Sequence, residues 1–162
     1  MSHEKSIVLE GFTGNKDIDD VSIRGIAAYH DAAQGRQRGK YSVYVVKSED
    51  IVFCHLGDLG HELSKSQVDE MGAVHALFVP VGGIYTIGPE QARKVMGSIR
   101  PRMTVPMHYK LLGMSATFDG LSDVEDSIRG GDSIRRLDGP SFTIDKRDLQ
   151  ERALTVVPKL DS

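Results

Sequence analysis

The feature that most constrains the fold is residues 53–61, FCHLGDLGH, where an apolar run leads directly into an aspartate between two glycines. The preceding residues Ile51, Val52 and Phe53 indicate a buried strand. A strand that ends in Gly-Asp-x-Gly brings a carboxylate, here Asp58, to the rim of a sheet. Glycines beside it allow a tight turn and the close approach of a ligand. The sequence therefore predicts a functional sheet edge at this turn.

Two histidines occupy similar positions elsewhere in the chain. His30 ends an apolar run that begins at Val21, and His108 follows the run Met103–Met107. Two imidazoles and one carboxylate, each at the end of its own predicted strand, are typical ligands of a metal site. We therefore take His30, Asp58 and His108 as candidate metal ligands.

The remaining pattern predicts an α/β fold with a mixed sheet, because hairpin strands come first and helices then alternate with strands. A tight turn at 48–50 joins two strands into a hairpin, and Pro89 suits the first turn of a helix. The predicted strands are Ser6–Glu10, Val21–His30, Tyr41–Lys47, Ile51–His55, Ala76–Val81, Met103–Met107, Ile134–Leu137, Ser141–Ile144 and Leu154–Val157. The predicted helices are Ser64–Met71, Pro89–Ser98 and Leu121–Arg129.

Four spaced motifs resemble the metallo-β-lactamase superfamily: HDxxxGxxRG from His30, HLGDLGH at 55–61, FVPVGGxYT from Phe78, and PMHY at 106–109. The branch they resemble is that of Zn-dependent hydrolases related to ascorbate-6-phosphate lactonases. The resemblance implies an αββα sandwich, with mixed sheets flanked by helices. It also departs from the family, because the HxHxDH signature that supplies most metal ligands is absent and only His3 precedes His30. We therefore expect an N-terminally truncated member of the family.

The resemblance also assigns roles to the three candidates. It implies that His30 binds a first metal, that His108 binds a second, and that Asp58 bridges them and takes part in catalysis. Each residue has a plain structural alternative. Either histidine could be an ordinary hydrogen-bonded residue, and Asp58 could accept backbone hydrogen bonds within a turn.

Further residues are expected to surround the metals or to line the pocket. His55 and His61 flank Asp58 and could orient it, and the Gly82-Gly83 pair could shape the substrate mouth, although an ordinary glycine turn explains it equally well. Arg38, with Arg36, could contact an anionic substrate, although exposed loop arginines are common. The expected pocket residues are His55, His61, Gly82, Gly83, Tyr85 and Arg38.

Composition limits the alternatives. The 162 residues predict one domain, 1–162, with a substantial core. A net charge of −3 gives no electrostatic reason to expect nucleic acid or an anionic membrane as partner. The sequence contains no apolar run long enough for a transmembrane helix and no signal-peptide pattern. A single cysteine, Cys54, is consistent with a cytoplasmic protein.

The sequence thus predicts a metal-dependent hydrolase of an ester, lactone or phosphoester-like bond, using zinc or another divalent ion such as manganese. Because the HxHxDH ligands are absent, we expect weak metal binding and low activity in the chain by itself. The alternative is a non-catalytic module that needs a partner chain. We expect a small-molecule substrate, either anionic or neutral. We also expect either a homo-oligomer or a further N-terminal segment to cover an apolar sheet face.

Overall fold

The computed structural model describes residues 7–111, 113–129, 133–150 and 153–159. It contains one eight-stranded sheet with the strand order β1-β2-β3-β4-β5-β6-β8-β7. The strands are β1 (Gly14–Ile18), β2 (Val21–Tyr29), β3 (Lys40–Ser48), β4 (Ile51–His55), β5 (Ala76–Pro80), β6 (Met103–Met107), β7 (Ile134–Arg136) and β8 (Leu154–Val157).

The sheet is mixed, as the sequence predicts. Strands β1 to β4 are antiparallel neighbours, and β3 and β4 form the expected hairpin. From β4 onwards the neighbouring strands β5, β6, β8 and β7 are parallel. Two antiparallel steps separate β2 from β4, so β2, β4 and β6 all run in the same direction and end at the same edge of the sheet.

The three predicted helices are present: α1 (Lys65–Met71), α2 (Pro89–Ile99) and α3 (Val124–Ile128). Helix α1 begins after the N-cap Ser64, whose side chain accepts a hydrogen bond from the Gln67 N–H. Helix α2 begins at Pro89, since a first-turn N–H needs no partner within the helix. Its C-cap, Arg100, adopts a left-handed conformation with φ 55°.

The two faces of the sheet bury separate clusters. Register places Cys54 beside Leu77 on one face, and Phe53 beside Ala76 on the other. The first face carries the larger cluster, which includes Val95 of α2. The second face carries a smaller cluster covered by residues from the segment after β7, namely Leu137, Phe142, Ile144 and Leu149.

This arrangement corrects two predicted strands. Residues 7–9 form no strand, and Ser6 lies outside the described residues; the first strand is β1, in a stretch predicted to be a loop. There the backbone pairs with β2 although its side chains are largely polar, because β1 lies at the sheet edge. Residues 141–144 also form no strand, and Phe142 and Ile144 instead pack onto the second face.

The apolar face expected to be open is therefore partly covered by the chain itself. Besides the segment after β7, the stretch before β1 crosses it: the Tyr44 hydroxyl donates to the Leu9 carbonyl, and Gly25 lies directly against the Phe12 carbonyl. Among the described residues, no helix combines the length and the apolar character needed to cross a membrane.

Candidate metal centre at the sheet edge

The strands β2, β4 and β6 bring three predicted ligands to one edge of the sheet. His30, Asp58 and His108 each lie just beyond the end of one of these strands. The three side chains adjoin one another, and together we call them the candidate metal centre. His30 Nε2 lies 3.8 Å from Asp58 Oδ2, and His108 Nε2 lies 3.9 Å from Asp58 Oδ1. The expected proximity is thus observed, while the role of metal ligand stays a prediction.

These distances have a chemical meaning. They are too long for hydrogen bonds, yet they are close to the roughly 3.4 Å that separates two ligand atoms around a tetrahedral zinc ion. Each histidine faces a different oxygen of Asp58. Within the described parts of the chain, no group of three or more His, Cys, Asp or Glu side chains surrounds a single ion position.

His30 is held by hydrogen bonds to nearby loops and by a close backbone contact. Its N–H donates to the Gly39 carbonyl at 3.2 Å, and the Gly60 N–H donates to the preceding Tyr29 carbonyl at 3.1 Å. A Cβ on Gly60 would lie 2.4 Å from the His30 carbonyl carbon, so this position admits no side chain. Among the described residues, the buried His30 Nε2 has no hydrogen-bond partner. Buried polar atoms normally have a partner, so His30 Nε2 is a candidate ligand atom for a water molecule or an ion.

Asp31 organises the loop beside His30, a role that the sequence analysis did not assign. Its carboxylate is buried and accepts hydrogen bonds from four backbone N–H groups of the loop, those of Ala33, Gly35, Gln37 and Arg38. Burial by itself would raise the pKa of Asp31, but the four donors outweigh it and hold the pKa below its usual range. The loop 31–39 therefore has a fixed shape.

His108 is held by packing and carries backbone strain. Its φ of 57° lies in the left-handed region, which is uncommon for a residue with a Cβ. A Cβ on Gly82 would lie 2.0 Å from the His108 carbonyl oxygen. The Ser122 N–H donates to the Gly82 carbonyl at 2.8 Å. Gly82 therefore shapes the backbone beside a candidate ligand.

Tyr41 joins His30 to the turn that carries Asp58. Its ring meets the His30 ring edge-on, with centroids 6.4 Å apart, and its hydroxyl donates to the Leu56 carbonyl. Burial, together with the nearby charge of Asp58, raises the pKa of Tyr41, so the hydroxyl keeps its proton. No sequence motif surrounds Tyr41, and only its position in the folded sheet shows that it belongs to the surroundings of the candidate metal centre.

The two histidines that flank Asp58 in sequence make other contacts. His55 stacks on Phe78 with centroids 5.8 Å apart, and its Nδ1 accepts from the Gly57 N–H. Burial lowers the pKa of His55, against the opposing effect of the Asp58 charge. His61 Nε2 accepts from the Tyr29 N–H at 3.2 Å, and its Nδ1 lies 2.7 Å from the Glu62 carbonyl. Both His61 nitrogens thus contact backbone, not Asp58.

Arg38 and Tyr85 connect the loops on the two sides of the centre. The Arg38 guanidinium lies over the Tyr85 ring, 4.9 Å from its centroid. Arg38 belongs to the loop that follows His30. Tyr85 belongs to the loop that begins at Gly82. In this loop Gly83 has a φ of 77°, and its carbonyl accepts a hydrogen bond from the Thr86 N–H, which closes a turn.

Comparison with known proteins agrees with this architecture. The model of the family described as "Beta-lactamase superfamily domain" matches residues 3–108. The chain belongs to this family. The superfamily match spans all three residues of the candidate metal centre.

Curated relatives in the superfamily are named metal-dependent hydrolases. The chain is 34% identical over 98 residues to "UPF0173 metal-dependent hydrolase PH1671" of Pyrococcus horikoshii, covering 59% of this chain and 44% of that protein. It is 31% identical over 102 residues to a protein of the same description from Thermococcus onnurineus, with the same coverage of 59% and 44%. The chain thus spans under half the length of these relatives.

A solved structure shares most of the architecture of this chain. The crystal structure of a putative Zn-dependent hydrolase of the metallo-beta-lactamase superfamily from Thermotoga maritima has a TM-score of 0.77 and 36% sequence identity, and the match covers 90% of this chain and 69% of that one. A putative metal-dependent hydrolase from Parabacteroides distasonis, at 16% identity and TM-score 0.56, shares the fold. The fold is therefore that of the metallo-β-lactamase superfamily.

Proposed function

We propose that this chain contributes the candidate metal centre of a metal-dependent hydrolase that cleaves an ester, lactone or phosphoester-like bond. The observation that carries this proposal is that His30 and His108 face the two different oxygens of Asp58, at 3.8 Å and 3.9 Å. The names of the relatives support a divalent metal. We propose zinc, or another divalent ion such as manganese, and a cytoplasmic location.

The donor atoms suit such an ion. Imidazole nitrogen and carboxylate oxygen are common zinc ligands, and the unpartnered, buried His30 Nε2 is free to bind one. His30, Asp58 and His108 would hold the metal. A bound divalent ion would polarise the substrate oxygen and lower the pKa of a water molecule. The negative charge of Asp58 would also offset part of the positive charge of the bound ion.

Other residues of the chain would position the substrate. Arg38 lies over the Tyr85 ring, and among the described residues no carboxylate pairs with its guanidinium. A guanidinium without a carboxylate partner can bind a phosphate or carboxylate group by two parallel hydrogen bonds. We therefore propose a small anionic substrate whose charged group binds Arg38. The proposal includes neither nucleic acid nor a membrane as partner.

A second candidate function is a non-catalytic module that needs a partner chain, either another copy or a different protein. The observation in its favour is that the described side chains do not surround any single ion position with three donors. Two histidines and one shared carboxylate would then bind metal weakly, because each ligand adds bond energy and preorganisation.

Zinc titration followed by calorimetry tests the proposal. We expect the 162-residue chain to bind zinc weakly and Asp58→Ala to lower the affinity at least about tenfold. Asp69→Ala, at an exposed site in α1, serves as the matched control and should leave the affinity unchanged. Equal affinity of wild type and Asp58→Ala would show that Asp58 is an ordinary turn residue and would refute the proposal.

Hydrolysis of a chromogenic ester and of a phosphodiester, each with saturating zinc, separates the two functions. Zinc-dependent turnover that Asp58→Ala abolishes supports the hydrolase. Zinc binding without turnover supports the non-catalytic module. Light scattering at several concentrations then measures whether the chain associates with itself.

A further inference from the structure

A cleft of about 930 Å³ lies at the opposite edge of the sheet from the candidate metal centre. It is formed where β5, β6 and β8 begin and where α2 and α3 end. His108 follows the last residue of β6, whereas Arg102, in the cleft wall, precedes the first. The cleft is therefore a separate feature and does not depend on the proposed hydrolase function.

The wall of this cleft carries a concentration of positive charge. Four arginines line it: Arg93, Arg100, Arg102 and Arg129. Among its described lining residues there is no aspartate and no glutamate. The whole chain has a net charge of −3, so this positive charge is a local feature. We call this region the arginine cleft.

The fold brings these arginines together from three elements. Arg93 lies within α2, and Arg100 is the C-cap of the same helix, in a left-handed conformation. Arg129 is the C-cap of α3, which packs against α2. Arg102 lies one residue before β6, and its N–H donates to the His75 carbonyl at 3.0 Å.

Their known contacts leave most of their donors available. Arg93 donates through Nη1 to the Asp126 carbonyl, Arg129 through Nη2 to the Asp126 carboxylate, and Arg100 through Nε to the Gly97 carbonyl. A guanidinium has five N–H donors. The contact between Arg129 and Asp126 is exposed, and such a pair contributes little to stability.

The remaining wall has an apolar part, which includes a position without a side chain, and a polar part formed by His75, Thr104, Ser127 and Thr155. Met96, Ile99 and Ile128 line the apolar part beside Gly97. A Cβ on Gly97 would meet nothing within 4 Å, so this glycine leaves open space in the cleft. A ligand that fits this wall combines an apolar body with an anionic group.

We propose that the arginine cleft binds a phosphorylated small molecule, with its phosphate group on the guanidinium groups and its apolar body against Met96 and Ile128. Phosphate accepts paired hydrogen bonds from arginine and carries more charge than a single carboxylate. The volume of the cleft lies in the range of about 300–1,000 Å³ that is typical of small-molecule sites.

Calorimetry with phenylphosphonate, inorganic phosphate and benzoate tests this proposal in the presence of EDTA, which removes metal from the other edge. Phenylphosphonate combines both features of the expected ligand and resists hydrolysis. We expect it to bind more tightly than either of the others. Binding of benzoate as tight as that of phenylphosphonate would overturn the assignment to phosphate, and no binding of phenylphosphonate at millimolar concentration would overturn the site.

Three variants locate the binding. Arg102→Gln removes one guanidinium and should weaken phenylphosphonate binding about tenfold or more. Gly97→Leu fills the open space and should abolish binding, without a clash at Cβ. Lys65→Gln removes one positive charge at an exposed position of α1 that pairs with Asp69; it is the matched control and should leave binding unchanged.

The opposite pattern refutes the proposal. A fourth variant, Arg38→Gln, tests the other edge of the sheet: if it weakens binding and Arg102→Gln does not, the anion binds at the candidate metal centre instead. Thermal unfolding of each variant shows whether it is folded. If Gly97→Leu fails to fold, the comparison of Arg102→Gln with Lys65→Gln still decides the question.

Discussion

The two sides of the candidate metal centre hold their histidines by different means. On the His30 side, the loop 31–39 is fixed by backbone hydrogen bonds to the Asp31 carboxylate, and the histidine has no positive φ. On the His108 side, the histidine has a φ of 57° and lies against Gly82. Both histidines lie against a glycine from a distant part of the chain, but local hydrogen bonds support the His30 side, whereas the His108 side maintains a strained backbone.

This difference shows that two kinds of interaction can hold the side chains of one site in place. Local hydrogen bonds order the His30 loop, in which the positive φ of a non-glycine residue falls on Gln34, with φ 58°, and not on the histidine. The His108 conformation costs of order 1–3 kcal/mol and persists because the surrounding chain leaves it no alternative. Mutations on the two sides should therefore change stability in different ways.

The largest effect is expected from Gly82→Ala. The new Cβ would lie 2.0 Å from the His108 carbonyl oxygen, and two backbone segments would have to separate. We expect the free energy of unfolding to fall by about 3 kcal/mol or more, measured by urea denaturation. Gly97→Ala is the matched control, because its Cβ meets nothing within 4 Å; it should be neutral or stabilising. Equal loss in both variants would contradict the packing argument.

The second-largest loss of stability is expected from Asp31→Asn, which changes only the His30 side. Asp31→Asn removes the charge that accepts four backbone hydrogen bonds, so we expect a lower unfolding temperature at pH 7. The pKa of Asp31 is lower in the folded protein than in the unfolded chain. Its stabilisation is therefore complete above the unfolded pKa of about 3.9 and is lost as the pH falls through the folded pKa.

Thermal unfolding of wild type and Asp31→Asn at neutral and acidic pH checks the direction of this pH dependence. The difference between wild type and Asp31→Asn should narrow only below about pH 4. A difference that widens on acidification would show that the carboxylate is not held by these donors. Asp19→Asn, in the exposed β1–β2 turn, is the matched control and should change little.

A smaller effect is expected at the link between the two sides. Tyr41→Phe keeps the ring beside His30 but removes the hydroxyl that donates to the Leu56 carbonyl. We expect a loss of about 1–2 kcal/mol, because a partly buried carbonyl loses its partner. Urea denaturation measures it, and an unchanged midpoint would mean that water replaces the hydroxyl.

The smallest effect is expected from glycine and alanine substitutions of the two histidines, compared by the free energy of unfolding. At position 108 we expect His108→Gly to be more stable than His108→Ala by about 1 kcal/mol, because glycine adopts a positive φ without strain. At position 30 the order should reverse, with His30→Ala more stable than His30→Gly by about 0.5 kcal/mol. The same order at both positions would remove the distinction between the two sides.

Much of the fold could be predicted from the sequence because its signals are local. The hairpin of β3 and β4, the strand β5 and the helix α2 follow from apolar periodicity, turn residues and a proline at a helix start. The strand β1 could not be predicted, since its stability comes from pairing with β2 and not from its own polar side chains. The strand predicted over residues 141–144 was wrong, because Phe142 and Ile144 pack across the sheet without pairing.

At the site, the sequence by itself determined which chemical groups are available and that three of them lie at strand ends. The motifs around His30, Asp58 and His108 are short and local, so they can be recognised in one dimension. Only the tertiary structure decided that each histidine faces a separate Asp58 oxygen, and that Tyr41 and Asp31 support the centre. Those facts depend on the register and direction of strands far apart in the chain, because a side chain's neighbours across a sheet are fixed by pairing and not by sequence spacing.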